Sequence, residues 1–195
     1  MKNIVFDLGG VLFARDKSKC TPELLEFFSF LRAPRMPLFW EEYDRGTSTL
    51  AEVTVTISEM TGRPVEVCSA VLQLAVDLQE PVKATERLVG DLKAAGYKLY
   101  VLSNMSREFI DFLRRFPVYG LFDGEVVSCE EHTVKPEPRI YEILLERYGL
   151  TPSETLFIDD REANIEAAAA LGIHGFVFDH RDPESSCDAL RAQLL

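Results

Sequence analysis

Polar residues fall where apolar runs stop, and their types suit one kind of chemistry. Asp7 follows Ile4, Val5 and Phe6, and Gly9 and Gly10 come directly after it. Ser103 and Asn104 close the run KLYVL at 98–102, and Asp159 and Asp160 close TLFI at 155–158. Lys135 precedes Pro136 in the loop after a third run at 122–127. Apolar runs of this kind are the pattern of strands covered on both faces, as in a parallel sheet. Ligands of such sheets bind beyond the carboxyl ends of the strands. Asp7, Ser103, Asn104, Lys135, Asp159 and Asp160 are therefore expected at one sheet edge. Three carboxylates gathered there repel one another unless a cation joins them. Oxygen donors that include a pair of acids suit a hard ion, Mg²⁺ first. A hydroxyl, an amide and a lysine beside that ion are what a phosphate oxyanion needs. Helix N-termini after the strands add partial positive charge. An aspartate next to Mg²⁺ and a phosphate points to in-line attack through an aspartyl-phosphate.

The elements that position these residues follow from periodicity. Strands at 98–102, 122–127, 155–158 and 173–178 alternate with helices at 84–95, 106–115, 138–148 and 162–171, and a last helix is expected over 182–195. Alternation of this kind predicts an α/β fold with a parallel sheet and right-handed crossovers. Between the first strand and this series, residues 16–81 lose strand alternation. Thr21-Pro22-Glu23 is a helix start, and Leu24, Leu25, Phe27, Phe28 and Leu31 give an apolar face. Ala33-Pro34-Arg35-Met36-Pro37 breaks it. A short helix at 38–43 stops at Asp44-Arg45-Gly46, Thr49 caps a helix at 50–60, and 65–78 forms a fourth. The expected organisation is a core of residues 1–15 and 82–195 with an all-helical insertion, a hairpin or small bundle, at 16–81.

Four motifs stand in order: FDLGGV at Asp7, LSN at Ser103, KPEPRIY at Lys135 and FIDDREAN at Asp159 and Asp160. Together they resemble the haloacid dehalogenase (HAD) superfamily, in its phosphatase branch, over nearly the whole chain. The resemblance implies a Rossmann-like core, with the helical insertion as a cap domain. It implies that Asp7 is the nucleophile and that Ser103, Asn104 and Lys135 hold the transferring phosphoryl group. Asp7, the main-chain carbonyl of Gly9 and Asp160 would ligate Mg²⁺, with Asp159 ligating directly or through water. Asn164, one helical turn beyond Asp160, would reach the water shell of that ion.

One position departs from the usual pattern. Most phosphatases of this superfamily carry a second aspartate two residues after the nucleophile, as general acid and then base; here Gly9 stands there. The carbonyl survives that change, but the proton donor does not. The pattern resembles the bacterial branch of α-D-glucose-1-phosphate phosphatase-like enzymes, which shares the Asp-x-Gly motif. An anomeric oxygen leaves more easily than an ordinary alcohol, which suits a site short of an acid. The expected activity is Mg²⁺-dependent hydrolysis of a small sugar phosphate. The rivals are a metal-independent dehalogenase, a lipid-phosphate phosphatase, and a non-catalytic phospholigand-binding protein that lost its acid at Gly9.

Composition narrows the partners. The 195 residues are 47% hydrophobic, ample for a packed core, with a net charge of −11. That charge argues against nucleic acid or an anionic membrane surface. No apolar run is long enough to span a bilayer, and no secretory signal is read at the start. Cys20, Cys68, Cys129 and Cys187 are far apart, a spacing of reduced thiols and not of a disulfide framework or zinc site. A cytoplasmic monomer or weak homodimer acting on a small phosphorylated metabolite is expected. His132, His174 and His180 show no ligand spacing. Trp40, Glu41, Glu42, Tyr43 and Arg45 face the substrate from the insertion, or Trp40 and Tyr43 are its core and the acids are solvated.

Overall fold

Strand β1 (Asn3–Phe6) lies at the centre of a five-stranded parallel sheet in the computed structural model, which describes residues 1–32 and 36–195. Strand β2 (Phe13–Arg15) follows, then helices α1 (Pro22–Phe27), α2 (Leu38–Arg45), α3 (Leu50–Thr61) and α4 (Val65–Asp77), then strand β3 (Gln79–Pro81). The remainder alternates: α5 (Lys83–Ala94), β4 (Lys98–Ser103), α6 (Arg107–Leu113), β5 (Gly124–Val127), α7 (Ser128–Glu131), α8 (Pro138–Tyr148), β6 (Thr155–Asp159), α9 (Glu162–Ala170), β7 (His174–Val177) and α10 (Pro183–Leu194). The sheet order is β5-β4-β1-β6-β7, so the fold is α/β as expected.

The apolar run of β1 explains its central place. Ile4, Val5 and Phe6 are fully buried, and successive side chains enter opposite faces. Ile4 and Phe6 join Leu88 and Leu92 of α5 and Leu190 of α10. Val5 joins Tyr141 and Leu144 of α8 and Phe157 of β6. Each such side chain contributes about 1.5–3 kcal/mol by leaving water. Phe6 pairs with Val101 on one side and Ile158 on the other, which sets the ends of β4, β1 and β6 side by side.

The helices between β2 and β3 pack round a second core that includes Phe27, Phe28, Trp40, Tyr43, Ile57 and Leu72, and Phe109 of α6 completes it. Thr49 and Glu52 form a reciprocal capping box at the start of α3, and Gly62 ends that helix in the left-handed conformation. Helix α1 is shorter than its apolar spacing predicts. It stops at Phe27, tightens into a 3₁₀ turn over Ser29–Arg32, and leaves Leu25 exposed. Of the break predicted at 33–37, residues 33–35 lie outside the described residues. Ser106 precedes α6 as expected, but its side chain makes no capping bond. An element missing from the sequence reading is the antiparallel pair β2–β3, which joins the chain entering the insertion to the chain leaving it. Among the described residues no helix is long and apolar enough to cross a membrane.

Candidate active site

Because β4 and β6 flank β1, Ser103, Asp7 and Asp159 meet at adjacent strand ends. Three donors converge on one oxygen of Asp7. Its Oδ1 accepts from the Leu8 main-chain N–H at 2.7 Å, from Ser103 Oγ at 2.7 Å and from Lys135 Nζ at 2.9 Å. Lys135 Nζ also donates to Asp159 Oδ2 at 2.6 Å and to the Leu102 carbonyl at 3.0 Å, so an acceptor stands near each of its three protons. Asp159 in turn accepts from the Arg161 N–H at 2.8 Å and from Asn164 Nδ2, 3.0 Å from each carboxylate oxygen. Three donors thus meet the Asp159 carboxylate. Its placement is behind Lys135, as the anchor of the ammonium.

Asp160 approaches from the start of the next loop. Gly10 makes room for it: its φ is 79°, and a Cβ there would stand 2.7 Å from Asp160 Oδ2. The glycine thus serves a close approach as well as a turn. Gly9 is different, since a Cβ there would meet nothing nearer than Met105 Cε at 4.0 Å. Asp160 also faces His180, Nδ1 to Oδ2, at 3.2 Å. Oxygens of Asp7, Asp159 and Asp160 lie within 4.8 Å of one another, a hard-donor cluster that can hold a metal ion.

The electrostatics say what this cluster lacks. Burial pushes the Asp7 carboxyl up to about 6, against the pull of Lys135 and with a further push from Asp159 and Asp160. Burial, then Asp159, pushes Asp160 up as well. Burial alone would push the Lys135 ammonium down, but Asp159 and Asp7 hold it above its ordinary value. One ammonium thus serves three acids, and the donor set fits a divalent cation that would let Asp7 and Asp160 ionise together.

Two amides make side-chain contacts that the sequence does not announce. The Asn104 side chain clasps the main chain of Lys135, donating to its carbonyl at 2.9 Å and accepting from its N–H at 2.7 Å. It holds the lysine loop, and Asn104 also lines the cavity with Asp7 and Lys135. Asn164 braces Asp159 directly. Trp40 and Tyr43 are buried in the core of the insertion, and the Tyr43 hydroxyl donates to Glu108 at 2.6 Å.

In the sequence Asp44 reads only as part of a helix stop. It stands near the end of α2 and lines a cavity of about 860 Å³ together with Asp7, Asn104, Lys135, Asp160 and Arg161. The surrounding residues dock this helix end on the core. The Asp44 carbonyl accepts from Ser128 Oγ. Arg45 forks onto both oxygens of Glu137, at 2.7 and 2.9 Å. Gly46, at φ 75°, lies so near the Cys129 main chain that a Cβ would fall 2.4 Å from its carbonyl oxygen. The readable signal was an acid followed by Arg-Gly; its meaning depends on Ser128, Cys129 and Glu137, far away in sequence.

Comparison with known proteins gives concordant matches. The family described as haloacid dehalogenase-like hydrolase matches residues 1–172. A sesquiterpene phosphatase of Aspergillus oryzae is 27% identical, with 97% of this chain and 95% of that protein covered. A D-ribitol-5-phosphate phosphatase of Bacteroides thetaiotaomicron is 27% identical over 96% and 94%. A mouse protein, acyl-CoA dehydrogenase family member 10, is 33% identical over 80% of this chain, which spans only 14% of that longer protein. A HAD family enzyme of Bacteroides thetaiotaomicron, crystallised with magnesium and inorganic phosphate, superposes with a TM-score of 0.72 at 28% identity, covering 92% of this chain and 95% of that one.

Proposed function

The chain belongs to the haloacid dehalogenase-like hydrolases, and from that premise we propose that it is a Mg²⁺-dependent phosphomonoesterase acting on a small sugar phosphate, of the glucose-1-phosphate kind, through an aspartyl-phosphate. The observation that carries this reading is the convergence of Leu8, Ser103 and Lys135 on a single oxygen of Asp7. The other oxygen, Oδ2, is left to attack phosphorus in line. Ser103 and Lys135 can turn from Asp7 to the equatorial oxygens of the bound ester, so that charge built up in transfer meets donors already in place. Asp159 keeps the lysine aimed. Asp7, the Gly9 carbonyl and Asp160 would hold Mg²⁺, which supplies charge neutralisation of the phosphoryl oxygens when bound. Asp159 stands behind them. The helical insertion serves as a cap that excludes bulk water.

The cavity volume suits a metabolite-sized ligand. The ribitol-phosphate relative supports a polyol or sugar phosphate. A second reading, a prenyl phosphate, is favoured by the sesquiterpene relative and by Phe13, Met36 and Val134 on the cavity wall. A metal-independent dehalogenase would have no use for the acid cluster. Four cysteines in no pairing pattern suit a reducing cytoplasm. The test is phosphate release from sugar phosphates, nucleotides and prenyl phosphates, with Mg²⁺ and with chelator, against Asp7→Asn. Sugar-phosphate turnover that needs Mg²⁺ and Asp7 supports the proposal; turnover that survives chelation overturns it.

A further inference from the structure

With glycine at position 9, the turn that carries the nucleophile brings no side-chain acid to the leaving group. The cavity wall carries three further acids, Glu41, Asp44 and Asp160. Asp160 belongs to the acid cluster. Glu41 is paired with Arg45 at 2.8 Å. Asp44 remains: among the described residues its carboxyl enters no ion pair, and it shares the cavity with Asp7 and Lys135.

Its position is held from three sides. The Ser128 hydroxyl donates to the Asp44 carbonyl, the adjacent Arg45 is tied to Glu137, and Gly46 presses against Cys129. Three consecutive residues thus fix the end of α2 on the core. A general acid needs such placement, because proton transfer demands hydrogen-bond reach to one oxygen.

We propose that Asp44 is the acid and base that this site takes from the helical insertion. The inference rests on the phosphatase reading above. In the first step Asp7 Oδ2 forms a bond to phosphorus and the ester P–O bond breaks. Its electron pair goes to the leaving oxygen, which takes the Asp44 proton and departs as an alcohol. In the second step water attacks phosphorus and gives a proton to the Asp44 carboxylate. The acyl-phosphate P–O bond breaks, its electrons return to Asp7, and inorganic phosphate leaves. Both enzyme groups end as they began.

The surroundings suit both roles. Burial pushes Asp44 up to about 7; Arg161 pulls the other way, Asp7 pushes further, the Ser106 N–H favours the charged form and Glu41 opposes it. An acid poised near neutrality can be found in either state at the working pH.

The experiment is a leaving-group series on wild type, Asp44→Asn, Asp44→Glu and the double variant Asp44→Asn/Gly9→Asp. Substituted phenyl phosphates from p-nitrophenyl to unsubstituted phenyl are the probes, with kcat/KM read from pH 5 to 9. Asp44→Asn should lose roughly 10²–10⁴-fold with phenyl phosphate and under about tenfold with p-nitrophenyl phosphate. Its alkaline limb should vanish. Asp44→Glu should restore part of the rate with a displaced pH profile. Gly9→Asp has space for its side chain and should flatten the leaving-group slope of Asp44→Asn. Equal losses across the series with an unchanged pH profile would overturn the inference while leaving the phosphatase reading intact, provided Asp7→Asn is inactive. Phosphate release undiminished in Asp7→Asn would overturn both.

Discussion

Lys135 Nζ stands 2.6 Å from Asp159 Oδ2, and both side chains are almost wholly sealed from water. A buried pair of this kind is strong when intact, and removal of one partner costs about 3–5 kcal/mol. Three donors already meet Asp159, so on the proposed reading Asp160 is the better-placed metal ligand. Calorimetric titration with Mg²⁺ should show Asp160→Asn weakened at least about tenfold more than Asp159→Asn, while Asp159→Asn shows the larger drop in thermal stability. The reverse ranking would place Asp159 on the ion.

Without metal, stability should fall as pH rises through neutrality. Asp7 is raised to about 6 and Asp44 to about 7, both by burial first. Their folded-state pKa values lie above the ordinary 3.8, so the folded chain binds more protons across that interval. Stability is then present at low pH and lost as pH rises toward 7. Asp16, Asp123 and Glu137 work in the other direction. Hydrogen bonds from Ser18 and Lys19 hold Asp16 near 2, Lys93 and Leu99 hold Asp123 near 2 against burial, and Arg45 holds Glu137 near 2. Their contribution is lost only as pH falls below the usual carboxylate range. Thermal melts in chelator should peak near pH 4–5 by these values and decline to pH 7.5. Added Mg²⁺ should raise Tm most at the alkaline end. A chelated Tm that rises from pH 5 to 7.5 would refute this.

Gly10 and Gly9 should respond oppositely to alanine. At Gly10 the left-handed backbone and the 2.7 Å approach to Asp160 both resist a methyl group. Gly10→Ala should lose about 1–3 kcal/mol in denaturant melts and weaken Mg²⁺ binding at least about tenfold. Gly9→Ala has open space and should change both by little, because the main-chain carbonyl remains.

What the sequence disclosed follows from where its signals lie. Asp7, Ser103 and Asp159 each end a buried apolar strand, so local patterning alone places them at one sheet edge. Asn104 reads as a phosphate donor beside Ser103, but its amide turns to the Lys135 main chain, a partner 31 positions away. Asp44 was invisible for the same reason on a larger scale. Its role is decided by Ser128, Cys129 and Glu137, and no spacing within the insertion announces them. The β2–β3 pair escaped notice because each strand has three residues and one includes Pro81.

Arg45 is the test of docking without chemistry. Its guanidinium forks onto Glu137, two residues from Lys135. Arg45→Ala should shift global stability by about 1 kcal/mol or less, since the pair is partly solvated. It should lower kcat/KM about tenfold by loosening the end of α2. A variant with full kcat/KM would show that the helix end needs no such tie.

The central claim is that Asp7 takes the phosphoryl group from the ester. A single turnover with p-nitrophenyl phosphate and Mg²⁺, quenched in acid and reduced with borohydride, converts any acyl-phosphate to homoserine at the residue that carried it. Peptide mass spectrometry should find homoserine at position 7, dependent on Mg²⁺ and absent from Asp7→Asn. Release of stoichiometric phosphate with Asp7 unmodified, or homoserine at any other aspartate, would contradict the account.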